Sequence, residues 1–301
     1  MLGTFFTKVV APSSPNIKEK FGIDNTGTAA VKRIFKTLHE FIKEGGLNKN
    51  PGAIKLGDYI DLEGGLTVQA YNGSGAFTYT GAHQNTRLIV VGIDSFRSGK
   101  GFNGSYTYQG SETPPPHIVL QFKDIPVSRR MNPTPTNNGG YMASEMRKYL
   151  NGEGAATGNF LAGLIAAGVP EEVLWAPERA IVSVQDGTPY VTVVNGNSVV
   201  TPTKIRDRLW LPTECEMRSD GGPGRTYESQ ENQARFEYYT DALLVKAGGT
   251  PYWLASASNL ADDHNYTTTA FRVSIPVEDA LNFGSGAAIL EGGVAPAFCI
   301  K

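Results

Sequence analysis

The chain has 301 residues, 40% hydrophobic and only 19% charged, a composition that is neither disordered nor coiled-coil. Lys and Arg number 27 against 29 Asp and Glu, a net charge of -2 at pH 7, so the basic excess that phosphate backbones attract is missing and nucleic acid is not an expected partner. No apolar run approaches the ~20 residues needed to cross a bilayer, so no membrane insertion is expected, and 35 Gly with 18 Pro forecast short strands, many turns and long loops.

In chain order, Met1 to Val10 carries a brief apolar patch with no basic leader or cleavage site, so no export signal is expected. Pro12, Ser13, Ser14 and Pro15 follow, and residues 1–25 read as an extended N-terminal arm. Val31, Ile34, Phe35, Leu38, Phe41 and Ile42 keep helical spacing from Thr28 to Lys43, with Thr28 as N-cap and Gly45 past the end. Residues 26–50 are therefore a helical linker or oligomerisation segment, whose apolar face covers either another subunit or the chain's own body. Ile54 to Ile60, Leu66 to Ala70 and Arg87 to Phe96 read as strands, separated by turns at Gly64-Gly65 and Asn72-Gly73-Ser74-Gly75.

Ser98 to Pro116 is rich in Gly, Ser, Tyr and Pro and reads as a long loop before a strand from His117 to Asp124. Met142, Met146, Tyr149 and Leu150 place a helix over Tyr141 to Leu150, and Asn159 caps a second one through Ala167, ended by Gly168. Strands are expected at Ala180 to Val184 and Tyr190 to Val194, joined by a turn at Asp186-Gly187, with a buried Leu209-Trp210-Leu211 after them. Gln230 to Leu244 reads as a helix, and strands at Tyr252 to Leu254, Phe271 to Ile275 and Val294 to Ile300 close the chain.

Several segments carry a resemblance. Ile54 through Ile60, Arg87 through Ile93, Tyr141 through Leu150, Leu209-Trp210-Leu211-Pro212-Thr213-Glu214-Cys215-Glu216-Met217, Tyr252-Trp253-Leu254-Ala255-Ser256 and Gly293 through Ile300 occur in order. Together they resemble an uncharacterised bacterial and prophage family with a C-type-lectin-like fold, shared with the variable target proteins of diversity-generating retroelements, spirochaetal variable proteins and the phage major tropism determinant. The resemblance implies an α+β fold: a C-type-lectin-like body, also similar to formylglycine-generating enzymes, with twisted antiparallel sheets, short helices and long loops over residues 51–301. It implies a non-enzymatic virion, tail-fibre or receptor-binding protein of phage or prophage type, located in a virion or at the cell exterior. The expected partners are a host surface protein or glycan, other virion or tail subunits and further copies in a homo-oligomer. A bacterial surface or secreted adhesin is the alternative, and a formylglycine-generating-type oxidase the third reading.

The expected recognition surface is the loop from Ser256 to Thr269. Asn259, Asp262, Asp263, His264, Asn265 and Tyr266 supply donors, acceptors and an aromatic face within eight positions, a mixture suited to adaptable binding; a solvated connecting loop is the plain alternative. Asp262 and Asp263 could offer oxygens to calcium, but the Glu-Pro-Asn and Trp-Asn-Asp signatures of calcium lectins are missing here, so no metal or cofactor is expected. Cys215 and Cys299 sit in apolar, strand-like contexts where a thiol acts as a small hydrophobe, so no catalytic residue is assigned. Trp175, Trp210 and Trp253 lie beside apolar residues and read as core anchors.

Overall fold

The structure is a computed structural model that describes residues 16–69, 76–79, 86–100, 104–152, 160–185, 188–189, 191–195, 197–217, 233–239, 251–257, 270–277 and 280–301. It opens with a one-turn helix α1 (Ile17–Lys20), the long α2 (Gly27–Lys43) and a further turn α3 (Gly46–Lys49). Residues 1–15 of the expected arm lie outside the described residues. From Asn16 the chain is docked rather than extended: Ile17 and Ile23 are buried, while Lys18 pairs with Glu63 and Lys20 with Asp58, both at 2.6 Å.

Helix α2 buries Ala30, Val31, Ile34, Phe35, Leu38 and Ile42 on one stripe, as a 3.6-residue period requires. The stripe packs on the chain's own body, the Phe35 ring lying 6.4 Å from that of Phe298. The helix begins at Gly27, one residue before the expected cap Thr28, and no side chain of its own segment caps it. Glu63 does so from a distant turn, accepting from the Gly27 N–H at 2.9 Å, and its charge favours the positive helix end.

Strands β1 (Tyr59–Asp61), β2 (Leu66–Gln69), β3 (Ala76–Tyr79), β4 (Arg87–Ile93), β5 (Ile118–Phe122) and β6 (Val127–Arg130) follow. The strand expected from Ile54 is mostly turn: Gly52 and Gly57 have φ of 94° and 84°, and the Asp58 carboxylate accepts from the Lys55 N–H at 2.6 Å. The helix expected over Tyr141 to Leu150 is two, α4 (Gly140–Ala143) and α5 (Glu145–Asn151). Ser144 breaks it at φ -68°, ψ 147°; its hydroxyl donates back to Tyr141 O and accepts from Arg147 N, a competition with helical bonding typical of serine.

Helix α6 (Phe160–Ala166) precedes β7 (Leu174–Trp175), β8 (Glu178–Val182), β9 (Val184–Gln185), β10 (Thr188–Pro189), β11 (Val191–Val194), β12 (Asn197–Val200) and β13 (Pro202–Arg206). Then come α7 (Glu214–Met217), β14 (Tyr252–Ala257), β15 (Ala270–Val277), β16 (Ala280–Ala287), β17 (Glu291–Val294) and β18 (Ala297–Ile300). The helix expected over Gln230 to Leu244 is not present in its described part, 233–239. There Phe236 N donates to Glu216 O and Tyr238 N to Val91 O, so these amides serve neighbouring segments instead of closing helical turns.

The result is a mixed α+β fold with two five-stranded sheets, ordered β1-β4-β5-β18-β7 and β16-β15-β14-β17-β6, plus two-stranded ribbons that include β13-β8. Among the described residues, all strand-to-strand pairings are antiparallel except β14 with β17. Trp210 stitches the core by exchanging backbone bonds with Ala297 at 3.0 and 2.8 Å, and Trp175, Trp210 and Trp253 are all buried. Phe298 is fully buried on the inner strand β18. Phe298→Ala should cost about 3–5 kcal/mol by the large-to-small rule, seen in urea unfolding as a lower midpoint at unchanged slope.

Candidate functional site

The six residues expected to form the recognition surface, Asn259, Asp262, Asp263, His264, Asn265 and Tyr266, lie outside the described residues. The strands that flank them are described: β14 pairs antiparallel with β15, and Ala257 faces Phe271. Among the described residues the structure builds a groove elsewhere, on the Ser98 to Pro116 loop.

Strand β4 launches that loop. A register shift between Val90 and Gly92 bulges its ladder with β5, and a Cβ at Gly92 would collide with the Ser95 hydroxyl, so the close approach requires glycine. Asp94 follows at φ 53°, a left-handed conformation that aspartate tolerates better than most residues. This turn ends the strand expected to run to Phe96.

The two ends of the loop are fastened to each other at its base. Asp94 N donates to His117 O at 2.9 Å, and His117 N donates to the Asp94 carboxylate at 2.9 Å. Phe96 N donates to His117 Nε2 at 3.1 Å, and Nδ1 lies 2.8 Å from Pro115 O. These partners assign the imidazole as neutral with its proton on Nδ1. Above the base, Tyr108 N donates to Ser98 Oγ at 3.0 Å.

The groove has a volume of about 530 Å³ and is lined by Arg97, Ser98, Tyr108, Gly110, Glu112, Thr113 and Pro114. Beneath it lies an aromatic floor: the Trp175 ring is 6.1 Å from Tyr108, 6.0 Å from Phe96 and 4.8 Å from the His117 imidazole. Tyr108 is itself a wall rather than a stacking face, because it is only 8% exposed. Its hydroxyl donates to Glu112 at 2.8 Å and accepts from Glu178 N at 3.2 Å; burial pushes its pKa up to about 12.

An ion-pair ladder clamps the loop to the β8-β13 ribbon. Arg206 and Glu178 are cross-strand partners, and Arg206 bonds both Glu178 and Glu112. Lys204 Nζ reaches Gln109 O at 2.7 Å. Burial acts to raise the Glu112 pKa, but its bonds to Tyr108 and Arg206 outweigh it and hold the carboxyl low.

Period-two alternation along β8 turns the next residue, Arg179, into the core. It bonds both Glu216 oxygens, at 3.0 and 2.7 Å, with both side chains almost fully buried. Thr213 N also donates to Glu216 at 2.8 Å, and the guanidinium lies 5.1 Å from the Trp210 ring centre. Cys215 lies in the one-turn helix α7, not in a strand, and Cys299 in β18; both are buried thiols outside any disulfide. Burial, reinforced by Glu216, pushes the Cys299 thiol well up, so at neutral pH it remains protonated and poorly nucleophilic.

Sequence reading identified the loop but not the residues that hold it. Arg206 lies 94 positions from Glu112, and no local pattern signals that pairing. The two classes of ion pair respond differently to mutation. Arg206→Ala should shift stability by less than about 1 kcal/mol, since exposed pairs contribute little. Arg179→Met strands Glu216 in the core and should cost about 3–5 kcal/mol; urea unfolding of both variants checks the contrast.

Residues 117–301 match a domain of unknown function, DUF6273. No curated protein and no solved structure matches the chain. The matched span starts at His117, which fastens the loop base, and includes β5 through β18, while β1 and β4 from the preceding segment complete the first sheet. With more than half of its length in that match, this chain belongs to the DUF6273 family.

Proposed function

We propose that this chain is a non-enzymatic structural or receptor-binding protein of phage or prophage type, whose C-type-lectin-like body displays a ligand-binding surface. The observation that carries the reading is the groove lined by described residues of the Ser98 to Pro116 loop between adjacent strands, its Tyr108 wall packed on the buried Trp175 ring. Loops on a rigid frame are the usual place for recognition.

The lectin-like frame is supported by the pairing of β5 with β18, the first and last strands of the family span, since terminal strands pair in such folds. Charges of both signs, Arg97 and Glu112, line the groove, and Arg206 pairs with Glu112 and with Glu178 beside it. That balance suits neutral, hydrogen-bonding groups on a host surface protein or glycan. Against an oxidase, the Cys299 thiol is sealed in β18 with its ionisation suppressed.

Binding to glycan panels and host-surface preparations should weaken about five- to tenfold in Arg97→Ala, the loss expected for one hydrogen bond of ~1 kcal/mol, and Cys215→Ser and Cys299→Ser should bind as the parent does. Unchanged binding in Arg97→Ala together with loss in Tyr266→Ala would move the surface to the Ser256 to Thr269 loop. Oxidation of a peptide cysteine, abolished by either cysteine change, would overturn the reading.

A further inference from the structure

We propose, building on the groove as the recognition surface, that His117 is an acid-operated latch whose protonation opens the base of the 94–117 loop and releases what the groove holds. The geometry sets this up. Nδ1–H is committed to Pro115 O and Nε2 accepts from Phe96 N, so a second proton has no acceptor waiting for it. It would face the Phe96 N–H, donor against donor, and the bond fastening Phe96 would be lost.

The surroundings add to that conflict. The imidazole is fully buried between Phe96, with rings 5.7 Å apart, and Trp175, 4.8 Å away. From the end of β4, Asp94 places a carboxylate oxygen 3.8 Å from Nδ1 and favours the charged ring. That carboxylate is already engaged by His117 N and by Arg97 at 3.4 Å. Arg97 and Lys100, both on the loop, oppose a further positive charge. From β7 the neighbour is the neutral indole of Trp175.

Burial wins among these influences and lowers the His117 pKa from 6.5 to about 4. The closed loop therefore binds fewer protons than the open one between these two values, and opening becomes easier as pH falls through that window. Well above pH 6.5 both forms are neutral and protonation no longer favours opening. Linkage with these values raises the open-to-closed ratio about twentyfold from neutral pH to about pH 5.

The latch also explains why the loop would respond apart from the rest of the fold. Phe96, Trp175 and Tyr108 connect the imidazole directly to the groove wall, whereas α2 packs on Phe298 of β18.

Hydrogen exchange on the whole chain, corrected for intrinsic pH dependence, tests it without any ligand. Peptides covering 94–117 should open about twentyfold more at about pH 5 than at neutral pH, while α2 peptides keep their protection. In His117→Gln, whose amide can accept from Phe96 at every pH, that rise should vanish. Nuclear magnetic resonance of labelled histidine should show the His117 ring titrating well below its ordinary value, and this decides the matter if the variant does not fold. Parallel loosening of loop and α2, an unchanged rise in His117→Gln, or an ordinary titration with the loop closed would each overturn the latch. A groove ligand found at neutral pH should dissociate faster at about pH 5. If no ligand binds the groove at neutral pH, the recognition reading falls and the release step falls with it, whereas the exchange data still decide whether the base opens.

Discussion

Arg179 and Glu216 bring two full charges into the core, joined by two hydrogen bonds and shielded from water on every side. Ions are stable there only when their desolvation is offset by close pairing and by further hydrogen bonds. The fold meets that condition by converging several segments on one point. Thr213 supplies an N–H to the carboxylate, Leu211 accepts from the guanidinium, and Trp210 lies across it. Thr213 in turn bonds Gln233, and Glu214 N bonds Ser256 of β14. Ribbon, one-turn helix and second sheet are thus held in register by a single polar demand.

The same demand orients the groove. With Arg179 facing inward, strand alternation places the Glu178 side chain on the other face of β8, where Arg206 meets its carboxylate, while the Glu178 backbone N–H donates to the Tyr108 hydroxyl. The described part of the loop is fastened by contacts with other elements. Aromatic rings pack behind it, and Arg206 pairs with Glu112 of its lining. A histidine placed at the junction of floor and base inherits a neutral state from burial, and this makes one hydrogen-bond pattern dependent on its protonation.

How much was legible in the sequence follows from the range of each interaction. The apolar stripe of α2, the hydrophobic run of β5 and the burial of Leu209-Trp210-Leu211 are local patterns and appear where periodicity put them, whereas the strand expected to run to Phe96 stops at Ile93 and the one expected over Val294 to Ile300 is divided between β17 and β18, which belong to different sheets. The Ser98 to Pro116 loop was visible through its Gly, Ser, Tyr and Pro content. Ser144 and Asp58, by contrast, redirect the backbone with their own side chains, so periodicity alone overextends a helix and a strand. In 233–239 the amides of Phe236 and Tyr238 serve Glu216 and Val91 instead of closing helical turns, a choice made by segments far away.

By itself, then, the sequence determined the class of the fold, the membership of the core and the place of the long loop, because hydrophobic period and turn chemistry act over a few residues. Only the tertiary structure decided that Glu63 caps α2, that Arg206 reaches Glu112, and that His117 lies neutral between Phe96 and Trp175. Each of these depends on charges and rings brought together from distant positions, where desolvation and hydrogen-bond geometry, not local preference, set the outcome.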